Sequence, residues 1–298
     1  MAPLAARCVL GWNERRRKGV DVGLVAVSFD MANHGSRLVD QKANLAWREG
    51  NERHAVDMWE CYHSALPLIR DVLLPSLPST LFPSPSTHRL TTHHALGVSL
   101  GGHAAWHLAL HLAPMRSAAI LIGSPDFSAL MRQRAEKSRR PAWVAGRGRA
   151  WLGGSEDFPA ALAADVARWD PAALVLGTGD DRDRDALGPD RVARRLREVL
   201  GPCLSGKRVL CLSGAADKLV PYERGKRFLD ALKEAVGDEG GWWNREREEE
   251  RVVFRDVVFE GVGHEVTAEM MGEALKFVWE GLEKEGVDEG AERRGSKM

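Results

Sequence analysis

Short apolar runs, rich in β-branched residues, recur along the chain at Val22–Asp30, Leu90–Val98, Ser117–Ile122, Arg208–Leu212 and Val252–Phe259. Runs of this length with little polar alternation predict strands buried on both faces, as in a parallel sheet. The segment His103–Ala113 (HAAWHLALHLA) is Ala- and Leu-rich and is stopped by Pro114, which predicts a helix. Ala268–Leu282 spaces its apolar residues as an amphipathic helix does. Strands alternating with helices imply the α/β class, a mainly parallel sheet with helices on both faces.

Between about residues 127 and 200 the pattern loosens. A basic stretch (RQRAEKSRRP) is followed by Trp143, Trp151 and Trp169 amid Gly and Pro, and then by the charged run GDDRDRD. This reads as an irregular, cap-like insertion with an exposed loop. GWWNREREEER is a polar excursion before the last strand, and the charged, Gly-containing tail 283–298 is expected to be disordered. One α/β domain is therefore expected over 1–282.

A chain of 298 residues is long enough for one large core. Lys plus Arg (42) balance Asp plus Glu (42), which argues against a nucleic-acid or anionic-membrane partner, since such binding needs surplus cations. Cys8, Cys61, Cys203 and Cys211 lack CxxC spacing, so neither a zinc site nor a disulfide framework is suggested. No secretory h-region precedes the basic residues after Trp12, and no apolar run reaches the roughly 20 residues of a membrane span. The expectation is a cytoplasmic protein acting on a small molecule.

The candidate chemistry lies at strand ends. Gly97-x-Ser99-x-Gly101 falls between an apolar run and an Ala-rich helix, where a nucleophile elbow belongs; its glycines suit a turn in which backbone segments approach closely. Asp217 follows Leu210–Ala216 in a small-residue turn, and His264 follows Val258–Gly263. Serine, acid and histidine thus arrive in the order Ser, Asp, His. A hydroxyl is a poor nucleophile until a histidine takes its proton, and a carboxylate fixes that histidine's tautomer. Each has a plainer reading: a Gly/Ser turn for Ser99, a turn or helix-capping aspartate for Asp217, a satisfied loop histidine for His264. Asp126, in Gly-Ser-Pro-Asp after another strand end, is a rival acid.

Taken together these segments resemble the motifs of the α/β-hydrolase fold over Val22 to about Leu282. Asp30-Met31-Ala32-Asn33-His34-Gly35-Ser36-Arg37 is similar to the D-x-x-x-H-G-x-R signature of small serine esterases near the dienelactone-hydrolase and prolyl-oligopeptidase-like branch. The resemblance implies acyl transfer from a carboxylic ester or thioester to water through an acyl-enzyme, with no metal or organic cofactor. Ser99 would be nucleophile, His264 base, Asp217 the orienting acid, and the Leu100 backbone N–H one oxyanion donor. In this fold a strand and loop before the first helix supply the other donor. Here the chain opens on what reads as that helix, so low turnover and a tendency to associate are expected. Two alternatives stay open: a catalytically degenerate relative that only binds a ligand or partner, and a prolyl-oligopeptidase-like peptidase, disfavoured for lack of room for a propeller.

Other residues read mainly as structural. His34 more naturally braces its loop than reacts. His103, His107 and His111 share one helical face and can in principle bind zinc, but the outer two are about 12 Å apart. The tryptophans of the insertion read as packing residues first and as walls of an acyl pocket second.

Overall fold

The sheet has four strands, all parallel, in the order β1 (His93–Val98), β2 (Met115–Leu121), β3 (Arg208–Gly214) and β4 (Val253–Phe259) in the computed structural model of the chain. Residues 2–16, 22–82, 88–237, 241–245 and 250–295 are described. The longer helices are α1 (Ala2–Arg15), α2 (His54–His63), α3 (Leu100–His111), α4 (Phe127–Lys137), α5 (Tyr222–Val236) and α6 (Ala268–Gly295). By its contacts the chain divides into two compact units, residues 31–266 and the pair of segments 1–30 and 267–298.

In the larger unit, β2 is paired on both sides: Ala119 lies between Leu96 of β1 and Leu210 of β3. Its residues Ser117–Leu121 are buried, which explains a strand without polar alternation. Gly102 to Leu110 of α3 are all buried, the behaviour of a helix that is apolar on every side. Lys207 holds the far end of α3, donating from its buried amine to the carbonyls of Ala109 (2.7 Å) and Leu112 (3.1 Å). Burial pushes this amine down to about 8. Along α5 the buried positions Gly225, Phe228, Leu229, Leu232, Ala235 and Val236 recur at three- and four-residue steps. Each large one contributes roughly 1.5–3 kcal/mol by leaving water.

The smaller unit is knit by tryptophans. Trp12 packs with Val278 and Leu282, and its indole N–H donates to the Val22 carbonyl (3.0 Å). Trp279 donates to the Cys8 carbonyl (2.9 Å) and lies under the Arg15 guanidinium. A Cβ at Gly11 would stand 2.3 Å from the Trp279 ring, so only glycine admits this packing.

The structure differs from the sequence-based expectation in several places. Val22–Asp30 joins no ladder, and Val25, Val27 and Phe29 are exposed. A β-branched run becomes a strand only where a neighbour offers N–H and C=O groups at the right spacing. The tail expected to be disordered continues α6 as helix through Gly295, with 296–298 outside the described residues. Its Glu, Lys, Arg and Ala are good helix formers, and extending a helix already nucleated adds one hydrogen bond per residue fixed.

The region 127–200 is largely helical rather than irregular. It contains α4 and short helices at Pro141–Gly146, Ala160–Trp169, Pro171–Leu176, Asp181–Asp185 and Pro189–Arg195. The run GDDRDRD is one of these: Asp180 caps Asp181–Asp185, and Arg184 within it is buried. In the GWWNREREEER excursion Trp243–Arg245 form a helical turn, and residues 246–249 lie outside the described residues.

Candidate active site

Ser99 stands at the bend from β1 into α3 with φ 54° and ψ −113°, a conformation costly for any residue but glycine. The bend is held by its surroundings. The Ser99 N–H donates to the Leu121 carbonyl (2.9 Å), and the Ser99 carbonyl accepts from the N–H groups of Gly102 (2.8 Å) and His103 (3.1 Å). A Cβ at Gly97 would lie 1.9 Å from the Gly101 carbonyl oxygen, and one at Gly102 would lie 3.0 Å from Gly123 Cα. The strand-to-helix turn can therefore be this tight only with glycine at 97, while at 102 a side chain would press on Gly123.

Two further strand ends converge on the serine. After β3 the chain turns through Gly214-Ala215-Ala216 to Asp217, and after β4 through Glu260–Gly263 to His264. The two turns are laced together, the Ala215 N–H donating to Phe259 O and the Ala216 N–H to Val262 O (both 2.9 Å). A Cβ on Gly214 would be 2.4 Å from Val262 O. This lacing brings Asp217 Oδ2 to 2.8 Å from His264 Nδ1, and His264 Nε2 to 2.8 Å from Ser99 Oγ. With Nδ1 donating to the carboxylate, Nε2 is left as an acceptor for the hydroxyl. The other Asp217 oxygen, Oδ1, accepts the N–H groups of Leu219 (2.8 Å) and Val220 (2.9 Å), so the carboxylate is fixed at both ends. Its side chain is fully buried, whereas that of His264 keeps 22% exposure. Leu100 opens α3, where a backbone N–H has no acceptor within the helix.

The rival acid lies elsewhere. Asp126 caps α4 through Ala129 N (2.9 Å) and forms a buried ion pair with Arg184 (2.5 Å). Beside it Asp170 caps Pro171–Leu176 and accepts the Phe127 N–H (2.9 Å); burial, reinforced by the Asp126 charge, raises its carboxyl well above the ordinary range. His34 hydrogen-bonds the Ala32 carbonyl (2.9 Å) through Nδ1. Neighbouring Asn33, at φ 57°, ties residues 33–44 together through Val39 N, Asp40 N, Asp40 O and Asn44.

The histidines of α3 are separately engaged. His103 Nδ1 meets the Ser99 carbonyl (2.9 Å), His107 Nδ1 meets His63 Nδ1 (3.0 Å), and His111 Nε2 meets the Trp169 carbonyl (2.8 Å). Burial lowers His103 to about 4 and His107 well below its ordinary value. Among the described residues no group of three or more His, Cys, Asp or Glu is placed to hold a metal, and no helix is long and apolar enough to cross a membrane. Trp151 belongs to the core, and Trp143 and Trp169 pack against it. A cavity of about 250 Å³ within the insertion is lined by Arg132, Arg149, Trp151, Thr178 and Asp180 among others, and by none of Ser99, Asp217 and His264.

Sequence reasoning missed Arg134 and His54. Arg134 Nη1 donates to His54 Nε2 (3.0 Å) and Met58 Sδ (3.0 Å), and Nη2 donates to the Leu219 carbonyl (3.1 Å), two residues past Asp217. Burial, then repulsion from Arg48, lowers this guanidinium to about 10. Arg134 sits in the basic stretch of the segment that reads as an irregular insertion, so the sequence holds no signal for its role.

A sequence model of the alpha/beta hydrolase family matches residues 7–275. Among solved structures, TT1662 from Thermus thermophilus is similar at 21% identity over 93% of this chain and 82% of that one, with a TM-score of 0.44. Esterase PE8 is similar at 13% identity over 76% of this chain and 64% of that one, TM-score 0.36. Zea mays acyl-protein thioesterase 2 is similar at 17% identity over 70% and 62%, TM-score 0.28. The chain thus spans under two thirds of the latter two. No curated protein matches it.

Proposed function

Since the chain belongs to the alpha/beta hydrolase family, we propose that it is a serine hydrolase cleaving a carboxylic ester or thioester of a small molecule through an acyl-enzyme. The observation that carries this reading is the continuous line from Ser99 Oγ to His264 Nε2 (2.8 Å) and from His264 Nδ1 to Asp217 Oδ2 (2.8 Å). His264 takes the Ser99 proton as Oγ attacks the acyl carbon, and Asp217 stabilises the imidazolium so formed. The carbonyl oxygen becomes an oxyanion beside the start of α3, where the Leu100 N–H is one donor. Its collapse expels the alcohol or thiol, which takes the proton back from His264. Water, deprotonated by the same histidine, then attacks the acyl-enzyme; the second tetrahedral intermediate breaks its bond to Ser99 Oγ, which takes the proton back from His264, and the acid leaves. Every proton in the cycle is carried by groups of this chain.

Labelling with a fluorophosphonate tests the reading, because only an activated serine is phosphonylated. Wild type should label at Ser99 and the Ser99→Ala variant should not. Ser99→Ala should also lower hydrolysis of short aryl esters by about 10³-fold or more, the remainder reflecting binding and oxyanion effects alone. An Ala variant keeping a tenth of the activity would assign the nucleophile elsewhere.

A further inference from the structure

An arginine withdrawn from water is ordinarily neutralised by a carboxylate, as buried Arg184 is by Asp126 and half-buried Arg140 by Asp157. Half-buried Arg134 is held differently. Its hydrogen-bond acceptors are an imidazole nitrogen, a thioether sulfur and a backbone carbonyl, and its buried Nε has no partner among the described residues. His54 Nδ1 meets the Leu45 carbonyl (3.0 Å), which fixes the ring with Nε2 as acceptor toward the guanidinium. The charge is therefore aimed without being cancelled.

Its aim is one peptide group. The Leu219 carbonyl that accepts from Arg134 Nη2 (3.1 Å) belongs to the same amide plane as the Val220 N–H, which donates to Asp217 Oδ1 (2.9 Å). A cation on the oxygen of an amide draws electron density from its nitrogen and makes the N–H a stronger donor. The line runs from guanidinium through one peptide bond to the carboxylate whose other oxygen faces His264 Nδ1.

We propose that Arg134 is a positioning residue for the active site, acting on Asp217 through the Leu219–Val220 peptide. It holds Oδ1 so that Oδ2 stays on His264. The inference rests on the serine-hydrolase reading above.

The test is steady-state hydrolysis of a short aryl ester by Arg134→Gln and Arg134→Lys. Arg134→Gln should lower kcat by about 10- to 100-fold with KM within about twofold, as expected of a residue that acts through Asp217. Arg134→Lys, keeping the charge but not the fork, should recover part of the loss. In an Asp217→Asn background Arg134→Gln should cost less than about twofold more, because both changes act on the same group. A kcat within threefold of wild type, or an undiminished loss in the Asp217→Asn background, would overturn the proposal. If Arg134→Gln does not fold, Arg134→Lys alone carries the test, with a kcat-only loss and the same non-additivity expected.

A second readout needs no turnover. The downfield proton resonance of the His264 Nδ1–H bonded to Asp217 should shift or broaden in Arg134→Gln, and an unchanged resonance overturns the proposal. Wild type that fails to label with fluorophosphonate overturns the hydrolase reading instead, and the resonance still decides the role of Arg134.

Discussion

Asp126 and Asp217 are both buried and both follow a strand end, yet they are set up for different work. Asp217 turns one oxygen to two backbone N–H groups and the other to His264, whereas Asp126 is occupied by a helix start and by Arg184. Asp217→Asn should reduce ester turnover by about 10⁴-fold by favouring the wrong histidine tautomer, with a small change in stability. Asp126→Asn should leave turnover within a few-fold but cost about 3–5 kcal/mol in urea unfolding, because the Arg184 charge stays buried without its partner. The reverse ranking would exchange their roles. The sequence set Asp217 ahead through its place in the Ser, Asp, His order, but it could not show what occupies Asp126. The answer lies 58 residues on, within a charged run that reads as solvated. Arg134 was hidden for the same reason: a side chain's partner is decided by where distant elements meet.

At the scale of elements, legibility followed the number of neighbours that an element's own pattern implies. Ser117–Leu121 of the second strand and Gly102–Leu110 of the helix after Ser99 are buried and mostly apolar, so composition locates them to within a few residues. Val22–Asp30 carries the same apolar signature but has no partner in a ladder, and nothing local to it distinguishes the two cases. Hydrogen exchange should separate them sharply. Amides of residues 23–29 should exchange with little protection, while those of Ala118–Leu121, paired on both sides, should be among the slowest in the chain. Strong protection over 23–29 would mean that this segment is paired in solution. The charged tail reads as a solvated coil, yet a charged surface is compatible with a helix, and the helix Ala268–Gly295 runs through it.

For the molecule as a whole, the buried imidazoles set an acid limit. Burial, with repulsion from Arg134 next, lowers His54 to about 4; burial lowers His103 to about 4 and His107 well below its usual value. The unfolded chain takes up these protons below about pH 6.5, the folded chain only near pH 4 or lower, so this stability is complete above pH 6.5 and is lost as pH falls. Asp170, its carboxyl raised by burial, has the opposite sign, but one such group is outweighed by three histidines. Fully buried His103 alone withdraws up to about 3 kcal/mol across the window, a large share of a typical 5–15 kcal/mol. Urea midpoints should therefore fall steadily from pH 7 to 5, and a flat profile would refute the assignment of neutral buried rings.

The long span of the Ser99–His264 contact governs what happens during synthesis. The two residues are 165 positions apart, and a ribosome adding about 5 to 20 residues each second needs roughly 8 to 33 s to pass from one to the other. Throughout that interval the serine is present without its histidine, and for most of it the last strand, Val253–Phe259, which leads to that histidine, is also unmade. On the serine-hydrolase reading the nascent chain stays chemically quiet until residue 264 has been added, so acyl groups on neighbouring molecules meet an activated hydroxyl only after that point.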